Sequence, residues 1–111
     1  MEKKLSESTA RKIQELQAIE QTFQNILLQR QAFSLELNET TEALEEVKSA
    51  KDGIYKILGQ IIIKAKKDDL EKDLRNKKEL FELRMRNLEK QEQVIREKLM
   101  KLRTEVMKEL Q

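Results

Sequence analysis

The run Ile54-Tyr55-Lys56-Ile57-Leu58-Gly59-Gln60-Ile61-Ile62-Ile63-Lys64-Ala65-Lys66 constrains the fold more than any other part of the chain. It is crowded with β-branched residues, which suit a pleated strand, and it carries a glycine at its midpoint. A two-residue Gly59-Gln60 link between apolar runs is a hairpin signal, with glycine at the first central position of a type II′ turn. That turn sets Leu58 opposite Ile61, Ile57 opposite Ile62, Lys56 opposite Ile63 and Tyr55 opposite Lys64. One face of the ribbon then carries Ile54, Leu58, Ile61 and Ile63, and the other Tyr55, Ile57 and Ile62. Neither face suits water. An isolated two-stranded ribbon is marginal and its edges stay open to pairing, so the sequence asks for strands from other chains. The competing reading makes the run a buried helical turn, or the middle of one long helix. The consecutive Ile61, Ile62 and Ile63 argue against that.

Everything to either side reads as helix. Proline is absent, and charged residues make up 40% of the 111. That profile fits long helix or coiled coil better than a compact globule. The first helix is expected over 5–51. Leu16, Ile19, Phe23, Ile26, Phe33, Leu37, Leu44 and Val47 recur at spacings of three and four, a heptad seam, with polar breaks at Thr9, Lys12, Arg30 and Thr40. Lys48 and Lys51 suit the negative end of its dipole, and Gly53 fits just past its C-cap. About 45 such residues make a rod of roughly 65–70 Å. The second helix is expected over 68–110, capped by Asp68 with Glu71 in capping-box position. Its seam is Leu74, Lys78, Phe81, Met85, Leu88, Glu92, Ile95, Leu99, Leu102, Val106 and Glu109. Glu71/Arg75, Asp73/Lys77, Glu82/Arg86, Glu92/Arg96 and Glu97/Lys101 are favourable i,i+4 pairs.

A short hairpin makes the two helices antiparallel. A heptad pattern matches itself every seven residues, so the loop length selects the register. It sets Leu44 against Leu74, Leu37 against Phe81, Phe33 against Met85, Phe23 against Ile95, Ile19 against Leu99 and Leu16 against Leu102. Thr40 then meets Lys78, and Arg30 falls one layer from Glu92. An Arg30–Glu92 ion pair is expected, which sets register more than it adds stability. The fold class is therefore mainly α: a long antiparallel two-helix coiled coil with one β-hairpin at the bend, in a single unit over 1–111.

A two-helix coil buries one narrow stripe. Leu5, Ile13, Leu27, Leu28, Leu35, Leu80, Leu83, Val94, Met100, Met107 and Leu110 lie off it. Ile13, Val94, Met100, Met107 and Leu110 would cluster near the two termini, far from the hairpin. Exposed apolar surface there points to binding, and methionine adapts to varied partners. The alternative is that the tip packs on another copy of itself, or that these residues widen an ordinary seam.

Several functions are disfavoured. The chain has no cysteine and no histidine, which removes thiol chemistry and the commonest general base and metal ligand. Asp68-Asp69 is a carboxylate pair, but a helix start accounts for it. No Gly-rich phosphate loop is present, so neither an enzyme nor a cofactor is expected. The net charge of +2 is too balanced to argue for nucleic acid, and Lys64-Ala65-Lys66-Lys67 reads as a solvated strand end that discourages edge aggregation. No apolar run approaches the roughly 20 residues of a membrane span, and the opening Met1-Glu2-Lys3-Lys4 leads into a polar segment. A cytoplasmic protein is expected.

The order helix, hairpin, helix, with heptads in both arms, resembles the β-type subunits of prefoldin. Gln14 to Gln31 looks like the family's glutamine- and leucine-rich first arm, and Ala43-Leu44-Glu45-Glu46 like its end. Ile54 to Lys64 is similar to the family's hairpin, including Tyr55-Lys56 and the central Gly59. Leu88-Glu89-Lys90-Gln91-Glu92 resembles a piece of the second arm. The resemblance implies a chaperone that works without ATP: a hetero-hexamer of α2β4 composition, joined by hairpins in a β-barrel platform. Its coiled-coil tips would hold unfolded client proteins and deliver them to a cytosolic chaperonin. The residues expected at the hairpin interface are Ile54, Tyr55, Ile57, Leu58, Gly59, Ile61, Ile62 and Ile63. Those expected to touch client are Ile13, Leu16, Leu99, Met100, Val106, Met107 and Leu110. Lys101, Arg103 and Lys108 are candidates for the chaperonin or for solvated face. The rival reading is a coiled-coil tether that oligomerises through the hairpin and has no affinity for denatured protein.

Overall fold

The computed structural model describes residues 6–111; Leu5, expected at the start of the first helix, lies outside them. The elements are α1 (Glu7–Ser49), β1 (Tyr55–Leu58), β2 (Ile61–Lys64) and α2 (Lys67–Leu110). Contacts divide the chain into two compact units. One holds the chain up to Gln31 together with Asn87–Gln111, and the other is Ala32–Arg86.

In the first unit, α1 begins at a cap that the heptad pattern does not reveal. The Thr9 N–H donates to Ser6 Oγ at 3.1 Å, and Ala10 N–H to the Ser6 carbonyl at 3.0 Å. Ser6 is therefore the N-cap, its side chain satisfying a donor that the first turn cannot. The two helix segments run antiparallel. Lys12 reaches Glu109, Glu20 meets Arg103 and Arg30 meets Glu92, so partners fall on α2 as they rise on α1. The buried apolar residues are Ile26, Leu88, Leu99, Leu102 and Val106. All belong to the expected seams, because only positions three and four apart share a helix face.

The second unit holds the hairpin and the helix segments next to it. Leu44, Val47 and Phe81 are buried there, with Thr40 as a buried polar break. Phe33, expected opposite Met85, also reaches the neighbouring layer. Its ring lies 6.0 Å from the Phe81 ring, tilted by 45°, with the Arg84 guanidinium 5.5 Å from its centroid. A coiled-coil knob enters a hole framed by four residues rather than meeting one partner, so a large ring packs between layers.

The hairpin has the expected register at all four pairs, Leu58↔Ile61 to Tyr55↔Lys64, and Ala65 N–H donates to the Ile54 carbonyl at 2.9 Å to extend it. Gly59 has φ +60°, and among the described residues no non-glycine has positive φ. Gln60 therefore keeps a negative φ, as a type II′ turn requires.

The helix ends beside the hairpin differ from expectation. α2 starts at Lys67, and the Leu70 N–H donates to the Lys66 carbonyl at 3.0 Å, so Lys66 occupies the N-cap. Asp68 stands inside the first turn with Asp69, where both carboxylates favour the positive helix end. The Lys67 ammonium donates to the carbonyls of Lys48, at 2.9 Å, and Ala50, at 3.3 Å. It thus closes the end of α1, which is not the solvated role expected of the Lys64–Lys67 cluster. Gly53 is not adjacent to the helix end either. It has φ +41°, and a Cβ there would stand 3.3 Å from Tyr55 Cε2. It is the residue that lets the chain turn beneath the tyrosine ring into β1.

Candidate functional site: an uncovered ribbon and an apolar stripe

Two surfaces are candidates, one in each unit. The first is the ribbon. Ile57 is 71% exposed and Ile62 66%, and they face each other across the strands. Tyr55 shares their side. Leu58, Ile61 and Ile63 occupy the other side and are also exposed, while Ile54 is half-buried. Alternation puts neighbouring residues of a strand on opposite faces, and here both faces are apolar, with nothing among the described residues covering them. Both strands are also edge strands, so each presents unpaired backbone donors and acceptors.

The second surface lies on the helices of the first unit. The structure divides the seven residues expected there. Leu99 and Val106 are buried in the seam, each 5% exposed, and Leu16 and Ile13 are half-buried. Met100, Met107 and Leu110 are exposed, the two methionines at 62% and 59%. These three stand at i, i+7 and i+10, on one stripe of α2. Val94 is also exposed, but six residues from Met100 turn it about 120° away around the helix, so it is not part of the stripe. Leu28, Leu35, Leu80 and Leu83 are exposed elsewhere.

Polar contacts frame the stripe. Arg103, which falls on it between the methionines, bonds Glu20 of α1 at 3.1 Å. Nearer the termini, Glu109 accepts from the Thr9 hydroxyl at 2.9 Å and from the Lys12 ammonium. Ser6 Oγ lies 2.8 Å from Thr9 Oγ1, and Glu105 lies 3.8 Å from Lys12. The Lys12 hydrogen bond, then that of Thr9, hold the Glu109 carboxyl below its ordinary range. The Glu109 hydrogen bond in turn raises Lys12 above the ordinary lysine range. Sequence reading marked Thr9, Lys12 and Glu109 as seam positions without joining them. The signal was there: the expected register already sets residue 9 level with residue 109.

Lys101 lies with Lys12, Glu15, Lys98 and Glu105 around a cleft on the other side of the helix pair, and Lys108 is solvated. No described helix is long and apolar enough to cross a membrane.

Fold and surfaces together define a coiled-coil protein built around an unaccompanied β-hairpin. A family profile described as "Prefoldin subunit" matches residues 10–111. The prefoldin subunit beta of Archaeoglobus fulgidus is 38% identical over 88 residues, covering 78% of this chain and 76% of that one. That of Pyrobaculum islandicum is 40% identical over 94 residues, covering 83% and 75%. The crystal structure of the prefoldin beta subunit from Thermococcus strain KS-1 superposes with a TM-score of 0.88 at 30% identity, over 99% of this chain and 98% of that one. The chain belongs to the prefoldin subunit family, among its β-type members.

Proposed function

We propose that the chain is a subunit of a chaperone that holds unfolded proteins without ATP and without catalysis. Through its hairpin it joins other prefoldin subunits, with an α-type partner, in an α2β4 hetero-hexamer. Through its tips it binds client chains in the cytoplasm and passes them to a cytosolic chaperonin. The observation that carries this reading is the exposed stripe of Met100, Met107 and Leu110 along one face of α2 near the chain's end. Each such contact is weak, but several tips acting on one client raise the effective affinity by orders of magnitude. Family membership and the uncovered ribbon support the assembly half of the proposal.

The test is aggregation of a chemically denatured protein diluted into nucleotide-free buffer, with the complex reconstituted from this chain and an α-type subunit. The parent complex should suppress light scattering. The pair Met107→Ser and Leu110→Ser should lose most of that suppression while keeping the native mass of the assembly. Full suppression after truncation of both tips removes the tip assignment. No suppression by the parent complex leaves the tether.

A further inference from the structure

Beside the stripe is a cleft between the helices whose floor is Phe23 and Leu99 and whose α1 wall is Gln17, Gln21 and Gln24. Its only charged lining residues, Glu20 and Arg103, are bonded to each other at 3.1 Å. The cleft on the other side also has apolar residues, Ile19, Ile95 and Leu102, but its rim is charged, with Lys12, Lys98 and Lys101 against Glu15 and Glu105. The Phe23–Leu99 cleft is thus charge-neutral and walled by carboxamides, and the opposite cleft is rimmed by charge with a basic surplus.

We propose that the Phe23–Leu99 cleft binds an extended, uncharged apolar segment of a non-native chain, and that its glutamines bond the segment's peptide groups. This deepens the proposed function and rests on it. A charged occupant would lose hydration here without a free counter-charge to replace it. Apolar side chains gain by covering the half-buried Phe23 and the flanking, exposed Met100 and Met107. The backbone between those side chains is what an apolar floor cannot satisfy. An unfolded segment arrives with both N–H and C=O groups unpaired, and each carboxamide offers two donors and an acceptor, except that Gln21 already donates one N–H to Asn25 at 3.3 Å. Gln17, Gln21 and Gln24 stand at i, i+4 and i+7, one face of α1. Their amides can therefore follow one extended segment along the cleft. Recognition by peptide groups is indifferent to sequence, which suits a binder of many clients.

The test uses the reconstituted complex and fluorescent unstructured peptides: one uncharged and apolar, a second with aspartates or lysines inserted, and a third N-methylated at alternate residues. Fluorescence anisotropy should show the first binding best, with N-methylation costing about tenfold or more through lost hydrogen bonds. Gln17→Ala, Gln21→Ala and Gln24→Ala combined should weaken the first peptide by a similar factor and abolish the sensitivity to N-methylation. Helicity by circular dichroism should be unchanged, since these side chains are exposed. If the triple variant binds all three peptides as the parent does while Met107→Ser still weakens them, the cleft assignment fails and the tip reading stands. If no peptide binds and no denatured protein is held, both fail. Preference for the charged peptide overturns the proposal, as does loss of peptide binding when the chain self-associates.

Discussion

Arg30 Nη1 lies 2.5 Å from Glu92 Oε2 across the helix pair, and Arg96 Nη2 lies 2.8 Å from the other carboxylate oxygen. The Glu92 side chain is 8% exposed. A carboxylate so enclosed needs both guanidinium groups, so removing one leaves a partly unpaired charge. Arg30→Ala should destabilise the fold by about 1–2 kcal/mol, at the lower end for a broken pair because Arg30 itself stays half in water. Thermal unfolding at one fixed protein concentration reads this, since assembly shifts apparent stability. Replacing both residues by leucine should be neutral or stabilising. The cost is register. With the polar layer gone, only the loop fixes the register, and cysteines introduced at positions 20 and 103, whose native side chains meet, should be bridged by a short bis-maleimide in the parent and less completely in the double-leucine chain.

The hairpin makes a sharper prediction, because its two glycines differ. A Cβ on Gly59 would meet nothing within 4 Å. Gly59→Ala therefore tests backbone conformation alone, and should cost about 1–2 kcal/mol for holding an L-residue at positive φ. Gly53→Ala has the same backbone penalty and also presses on the Tyr55 ring. It should cost more, and the added part should be relieved by Tyr55→Ala. Chemical unfolding of the parent, Gly59→Ala, Gly53→Ala, Tyr55→Ala and the Gly53→Ala/Tyr55→Ala double checks this; equal costs for Gly53→Ala with and without Tyr55 would remove the ring from the account.

How far these features were legible in the sequence depends on whether the cause is local. The hairpin register was, since a two-residue turn with Gly59 at its first position and a side-chain period of two admit one pairing. The seam was as well, down to the buried breaks at Thr9, Thr40 and Glu92. The helix ends were not. The start of α2 was set later than it is because Asp68 looks like a cap. In the folded chain the Lys67 ammonium bonds the carbonyls of Lys48, in α1, and of Ala50, just past its end, 19 and 17 residues distant. The stripe was legible as apolar surplus, but its division was not. Leu99 and Met100 are adjacent, and only the helix phase sends one into the seam and the other into solvent. The glutamine-walled cleft is not legible, because Leu99 and Arg103, which complete it, belong to the other helix.

Ile57 and Ile62 lead to a third prediction. Both are exposed in the single chain, so changing them should not disturb it. Covering each by a neighbouring strand is worth about 1.5–3 kcal/mol per side chain. Ile57→Asp with Ile62→Asp should therefore leave helix content unaltered and abolish assembly. Native mass measurement, with and without an α-type subunit, reads the second effect, and circular dichroism the first. Unchanged assembly would mean that the ribbon is not the joint.

The contacts of Glu109 predict how the terminal end of the helix pair responds to pH. Every group facing the carboxylate favours its charged form: Lys12 first, then Thr9, while Glu105 lies on the far side of the same ammonium. Because its folded-state pKa is lowered, the stabilisation is complete above the ordinary carboxylate range and fades as pH falls through the lowered value. Lys12 behaves in the opposite sense. Its pKa is raised, so its contribution is whole below the ordinary lysine range and is lost as pH climbs through the raised value. The contact is therefore intact across neutral pH and opens at both extremes. Salt should weaken it, since these groups are within reach of water. Carbon-detected NMR titration of the Glu109 carboxyl should give a midpoint below that of Glu109 in the Lys12→Met chain, with Thr9→Val moving it part of the way. A midpoint unaffected by Lys12→Met would show that the pair does not hold in solution. The same titration should show Leu110 and Met107 methyl signals shifting as the carboxyl protonates, because the residues that close this end of the seam sit beside the apolar stripe.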